Sequence, residues 1–361
     1  MIMFTQTKIN QPNGTATKNV LGFFFCIICA IGLSSCTGKQ EKPLGPAITN
    51  AFPFELPDHI RQVTTFGQRA DWSHDGKRIL FIEKTFGDVY EVDLETLEVR
   101  PLTHHYYHEG YVRALYLSNG DLLLSGARKF DAEDPVPSRK RDAELWVLDK
   151  AGEKPPHPLG ELCYEGPAVS RKNLKIAWSW RGDQPEAIDY MADIEYHNGI
   201  PQIVNKIPAL TKERLPGVLD IETQNFRPPD ERELLFSAYS GEYRVCEVMG
   251  VDLETGEIRN YSLRPDEYDE PEGIFPDGEH ILVECDRHND GGTHQIDIYK
   301  LKLDGSGESE RLTFFSDHEG FKSSNPVVSD DGRYMAFQVA RVGDWAGVGR
   351  GIFIYDLEAA K

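Results

Sequence analysis

Six times along the chain a short polar turn separates two stretches of apolar and β-branched residues: residues 72–81 (WSHDGKRILF), 117–125 (LSNGDLLLS), 169–178 (VSRKNLKIAW), 226–236 (FRPPDERELLF), 275–284 (FPDGEHILVE) and 328–337 (VSDDGRYMAF). Each predicts a strand, a tight turn and a buried strand. The Asp-Gly or Asn-Gly pairs supply the positive φ of a hairpin turn, and the apolar run behind has the length of a core strand rather than of a helix. The turn glycine is missing around Asn173 and Asp230. A single hairpin cannot bury its own face, so the repeats must pack on one another. Gly76 and Gly120 lie 44 residues apart, and Gly278 and Gly332 lie 54 apart, the period of radially repeated four-stranded blades. The pattern therefore predicts an all-β chain, a six-bladed β-propeller.

The second half of each blade reads as strand, short polar turn, strand: residues 88–103, 144–159, 194–207, 246–262 and 297–313. The sixth, residues 351–361 (GIFIYDLEAAK), stops after its third strand. What it lacks resembles residues 59–67 (HIRQVTTFG), so the N-terminal strand is expected to complete the last blade and to remove two exposed sheet edges at once.

The first residues follow a different pattern. Lys8 and Lys18 precede an apolar run, residues 20–33, too short to cross a bilayer but suited to a secretory signal. The run ends in Leu33-Ser34-Ser35-Cys36, which looks like a bacterial lipobox with Cys36 as the acylated residue. The expected organisation is a lipoprotein signal over 1–35, a tether over 36–51 and the propeller over 52–361. Acyl chains bury about 0.8 kcal/mol per methylene, enough to hold a soluble domain at a membrane without a spanning helix. Thr37 gives no aspartate-type retention signal, so the outer membrane is the expected location. Removal of Lys8 and Lys18 leaves 37 basic against 59 acidic residues, a net charge of −22, which disfavours nucleic acid and anionic lipid surfaces as partners. Cys163, Cys246 and Cys285 are too scattered for a disulfide framework and are expected to be buried thiols.

Phrases such as WSHDGKRILF followed by DVYEVDLETLEVRPLT resemble the WD40-like repeats of the TolB-type six-bladed propellers of bacterial periplasms. The resemblance covers the chain from Phe52 onward and implies an exported protein that binds other proteins or envelope components. The separate N-terminal domain of TolB itself has no counterpart in these repeats, and a role in the Tol system is not expected. A more distant resemblance is to oligogalacturonate lyases, propellers whose loops carry histidines around a divalent metal. No contiguous motif of theirs transfers to this sequence.

Loop length indicates which face carries function. Within a blade the first-to-second and third-to-fourth turns share one face and are tight. The opposite face receives residues 126–143, 181–192, 285–295 and 339–351, all longer than a hairpin needs. The blade-to-blade connections reach that same face and repeat a carboxylate: Glu109, Glu165, Glu272 and Glu319, each before a glycine, with Glu222 at the corresponding place in the fourth blade. Five such residues predict a ring around the channel mouth able to hold a cation, sugar hydroxyls or a cationic peptide. Residues 104–109 (HHYYHE) form the densest cluster of functional side chains, and Arg287, His288, Tyr239 and Lys322 fall on the same face.

Two readings follow. One is a lipid-anchored binding protein taking a glycan, a peptide or an envelope protein, with Tyr107, Tyr239, Lys322 and the five glutamates as ligand-binding residues. The other is a metal-dependent lyase on uronate oligosaccharides, with His105 or His288 as base, Arg287 neutralising the growing charge, and His108, His288 and His318 as ligands to Mn, Zn or Ca. The chain has neither HExxH nor G-x-S-x-G, which removes zinc-protease and serine-hydrolase chemistry.

Overall fold

The computed structural model describes residues 52–181, 187–289 and 292–360, so the signal, Cys36 and the tether lie outside the described residues. Six four-stranded antiparallel sheets follow one another around an axis. Blade I holds Gln68–Trp72, Arg78–Ile82, Val89–Asp93 and Val99–Pro101; blade II holds Arg113–Tyr116, Leu122–Ala127, Ala143–Leu148 and His157–Leu162. Blade III holds Tyr164–Val169, Lys175–Arg181, Ala187–His197 and Ile200–Thr211; blade IV holds Asp220–Phe226, Glu233–Ser240, Val245–Asp252 and Ile258–Asn260. Blade V holds Asp269–Ile274, His280–Cys285, Asp297–Lys302 and Ser309–Arg311. In blade VI, Phe321–Val328, Tyr334–Arg341 and Ile352–Asp356 are followed outward by Ile60–Gln62, which pairs antiparallel with Ile352–Asp356 through Ile60↔Tyr355 and Gln62↔Phe353. The first strand of each blade touches the first strands of both neighbours, which closes the ring.

The apolar runs make sense once the blades are stacked. Each sheet is covered on both faces by its neighbours, so the second strand is buried throughout: Ile79, Leu80, Phe81 and Ile82 have no exposed surface, nor do Leu234, Leu235 and Phe236. Apolar clusters fill the six gaps between blades, two of them in the gap between IV and V. Trp72, Phe81 and Ile354 join blade VI to blade I, Leu123, Val147 and Trp178 join II to III, and Phe236, Ile221 and Ala177 join III to IV. Cys163, Cys246 and Cys285 are buried free thiols within this packing.

The hairpin turns take the predicted form where glycine is present, Gly76 and Gly332 having φ of 66° and 73°. In blade IV, where glycine is absent, Glu231 takes the left-handed conformation at φ 55°. Its carboxylate accepts a hydrogen bond from Ser170 Oγ of blade III at 2.7 Å, a tie between blades that a glycine would forgo.

Candidate functional site

The innermost strands are irregular, and the irregularity builds the site. Registers shift within the first strands of blades I, III, IV, V and VI. At three of these bulges a residue other than glycine takes a positive φ: Arg69 at 57°, Glu165 at 56° and Asn325 at 47°. The outcome is one polar side chain from the innermost strand of every blade at the central channel: Arg69, Arg113, Glu165, Glu222, Glu272 and Asn325. They line an upper cavity of about 480 Å³ together with Arg139, Lys140, Tyr164, Tyr239, Tyr268, Glu270 and Glu284. The long loops close over it. The turn of helix Pro135–Lys140, in the blade II loop, delivers Arg139 and Lys140, and the blade VI loop sets Trp345 at the rim with two thirds of its surface exposed.

Charge is divided across this cavity. On one wall, Glu165 receives Arg139 Nη2 at 2.8 Å, Lys140 Nζ at 3.4 Å and Arg69 Nη2 at 3.5 Å. Burial opposes ionisation of Glu165, but Arg139, Arg69 and Lys140 together hold its carboxyl well below the usual range. This wall still carries more positive than negative charge. Arg69 is 3% exposed, and neither its Nε nor its Nη1 has a hydrogen-bond partner among the described residues. Burial, then Arg139 and Arg113, bring its pKa down to about 10. Arg113, also buried, forms no ion pair with a described residue and stands at the waist of the channel, shared with a lower cavity of about 330 Å³.

The opposite wall is acidic. Tyr239 Oη donates to Glu222 Oε2 at 3.2 Å, and Tyr239 and Tyr268 both hydrogen-bond to Glu270. Asn325 Nδ2 donates to Glu272 Oε1 at 2.9 Å, and the Asn325 backbone N–H donates to Glu284 Oε1 at 2.7 Å. Burial pushes Glu222 and Glu272 well above the ordinary carboxylate range and Glu284 up to about 8, with Glu270 adding to each. Lys322 Nζ donates to the carbonyls of Thr293 and Asp344 at 2.8 and 3.3 Å, and burial lowers its pKa.

Ties between blades cross the lower end of the channel. Arg171 of blade III donates to Trp72 O of blade I at 2.8 Å and pairs with Asp330 of blade VI at 2.7 Å. His74 of blade I reaches the same Asp330 through Nδ1 at 2.9 Å. The upper cavity lies at the long-loop face, where residues of the blade II, V and VI loops line it. A larger groove of about 760 Å³ lies elsewhere, at the outer edge of blades V and VI against Phe54, Leu56 and Phe314, away from the charged residues of the channel.

The residues singled out in the sequence divide between these regions. Glu165, Glu222, Glu272 and Tyr239 meet in the upper cavity, and Lys322 lies beside it. Glu109 and Glu319 stand before the innermost strands rather than within them: Glu109 bonds to the hydroxyl of Tyr107, which is 85% exposed, and Glu319 is exposed. His105 is exposed in its loop. His108 is saturated locally, Nε2 lying 2.9 Å from Asp88 Oδ1 and Nδ1 accepting the Gly110 N–H at 2.9 Å. His318 stacks on Phe54 at 3.7 Å between ring centroids. Arg287 pairs with Glu267 and Asp269 at 2.8 and 2.7 Å, and His288 contacts Tyr299 and Ser316, so both brace the outer part of blade V. Among the described residues, no group of three closely spaced donors includes a histidine of the predicted metal set.

Arg69, Arg113, Arg139, Glu270, Glu284 and Asn325 escape the sequence reading. The signal available for Arg69 and Arg113 is a charge inside a strand that leads into the repeated turn, a position otherwise expected to be apolar.

No protein-family model matches the chain, and no curated protein does. Solved structures do. An oligogalacturonate lyase from Vibrio parahaemolyticus is similar at 16% identity and TM-score 0.50, over 82% of this chain and 79% of that one. TolB from Acinetobacter baumannii is similar at 17% identity and TM-score 0.43, over 80% of this chain and 65% of that one, just under two thirds of its length. The β-propeller domain of the Trilobed protease from Pyrococcus furiosus is similar at 12% identity and TM-score 0.43, over 80% and 78%. At these identities the likeness is one of architecture: the chain is a six-bladed β-propeller.

Proposed function

We propose that the protein is an envelope lipoprotein that binds an acidic saccharide in the upper cavity. The observation that carries this reading is the under-satisfied guanidinium of Arg69, buried beside Arg113 and Arg139, with Glu165 the counter-ion of Arg69 and Arg139. A buried cation without its full set of acceptors is costly, and a ligand carboxylate entering the cavity supplies them. The facing wall suits hydroxyls. Glu222, which burial pushes toward its neutral form, can both donate and accept, as sugar hydroxyls do. Trp345 and Tyr243 at the mouth offer faces for stacking. Binding is favoured over uronate elimination because none of the four histidines singled out as base or metal ligands lines the upper cavity.

Calorimetry with uronate oligosaccharides and their carboxyl-reduced counterparts tests the reading. The acidic compounds should bind and the reduced ones should not. Arg113→Gln should weaken binding about tenfold to a hundredfold, the usual loss on removing a charged hydrogen bond. Equal binding of both series, or of neither, overturns it. Ultraviolet absorbance from an unsaturated product in the same mixtures would replace the binding role with a lyase.

A further inference from the structure

The acidic wall carries a second feature that a saccharide alone does not account for. Glu270, Glu272 and Glu284 each present a carboxylate oxygen, and the three atoms lie within 4.8 Å of one another. All three side chains are buried or nearly so, and among the described residues none has a basic nitrogen within 4.0 Å. Lys322, the nearest ammonium in electrostatic terms to Glu284, is spent on two backbone carbonyls. Three buried carboxyl groups with no cation in contact are expensive to bring together.

An independent observation comes from Asn325. It is 5% exposed and lines the same cavity, its Nδ2 is fixed on Glu272, and its Oδ1 is buried with no hydrogen-bond donor. The two atoms share one amide, so Oδ1 lies within about 5 Å of the Glu272 carboxylate. It is an acceptor left open at the edge of an acidic cluster, on a residue held at φ 47° by the bulge of blade VI.

We propose that Glu270, Glu272 and Glu284, together with the amide oxygen of Asn325, form a calcium site in the upper cavity. The donors are all hard oxygens, without sulfur or imidazole, and this selects an alkaline-earth ion over zinc. Donors on opposite sides of Ca²⁺ stand up to about 5 Å apart, so oxygens within 4.8 Å of one another can share one ion, and Ca²⁺ accepts an irregular donor set where Mg²⁺ demands a near-ideal octahedron and sheds its water reluctantly. The site shares the cavity of the saccharide reading but is tested without a saccharide, so either can fail alone.

The test is a titration of the full chain, stripped of metal by chelator, with Ca²⁺ by calorimetry and with Tb³⁺ by luminescence. Tyr239 and Tyr268, bonded to Glu270, stand close enough to sensitise the lanthanide. One ion per chain is expected, with Ca²⁺ displacing Tb³⁺. Glu272→Gln and Glu270→Gln should each weaken binding at least tenfold. Glu272→Gln should melt no lower than the unsubstituted chain when metal is absent, because it relieves the crowding of three buried carboxyl groups, and should lose the rise in Tm that Ca²⁺ gives. Asp277→Asn, in the exposed trio Asp277, Glu279 and His280, should bind as before. Absence of saturable binding to the unsubstituted chain overturns the proposal, as does unchanged affinity in both Glu→Gln variants or loss confined to Asp277→Asn.

Discussion

Single side chains at the channel take their roles from how many partners the fold leaves them. His74 is the opposite case to Arg69. Its Nδ1 faces the Asp330 carboxylate at 2.9 Å and its Nε2 faces the Leu117 carbonyl at 3.0 Å, two acceptors that a ring can satisfy only by carrying both protons. The bond to Asp330 raises its pKa against the effect of partial burial. A folded-state pKa above the unfolded value of 6.5 makes its contribution complete below that pH and lost as pH climbs through the folded value. His74→Ala should therefore cost about 1 kcal/mol at pH 6 and much less at pH 9, read from urea unfolding at both pH values. A penalty independent of pH would mean that the ring acts by packing alone. The same bookkeeping of partners explains why the clustered histidines of residues 104–108 form no site: His108 is saturated by Asp88 and Gly110, and His105 remains at the surface.

Strands and turns were legible because each element obeys a local rule. The second strand of a blade is covered on both faces and so reads as a continuous apolar run, and the turn before it needs a positive φ and so shows glycine. Phe81, Phe236 and Phe337 occupy equivalent places in blades I, IV and VI, each without exposed surface. Phe236→Ala should destabilise the domain by about 3–5 kcal/mol in chemical unfolding, since the gap between blades III and IV cannot collapse while the ring stays closed. A loss under 1 kcal/mol would show that the blades shift to fill it. What the element rules could not supply is the bulge. A one-residue shift in an innermost strand changes which side chain meets the axis. That is why Arg69 and Asn325 reach the channel while Glu109 and Glu319, in the more conspicuous Glu-Gly pairs, stay outside it.

For the whole molecule, the ring is closed by residues far apart in sequence: Ile60–Gln62 lies on Ile352–Asp356, and Arg171 and His74 meet Asp330 across the lower end. The proposed attachment through Cys36 is testable at this scale. Cys36→Ser should move the chain from the detergent-extracted membrane fraction to the soluble one, whereas retention in the membrane would assign anchoring to another segment. The sequence by itself determined the hairpin repeat, the number of blades and the apolar faces between them, because these follow from periodicity and turn chemistry acting over a few residues. It also marked the face with long loops, from which Arg139, Lys140 and Trp345 reach the cavity. Only the tertiary structure decided the membership of the site. Polar side chains from six blades share one cavity there, and whether a carboxylate or a guanidinium is paired, protonated or left open depends on neighbours far along the chain, as Arg69 and Glu165 are separated by 96 residues. Burial in that common volume turns side chains that would be unremarkable on a surface into an anion-seeking wall facing an acidic one.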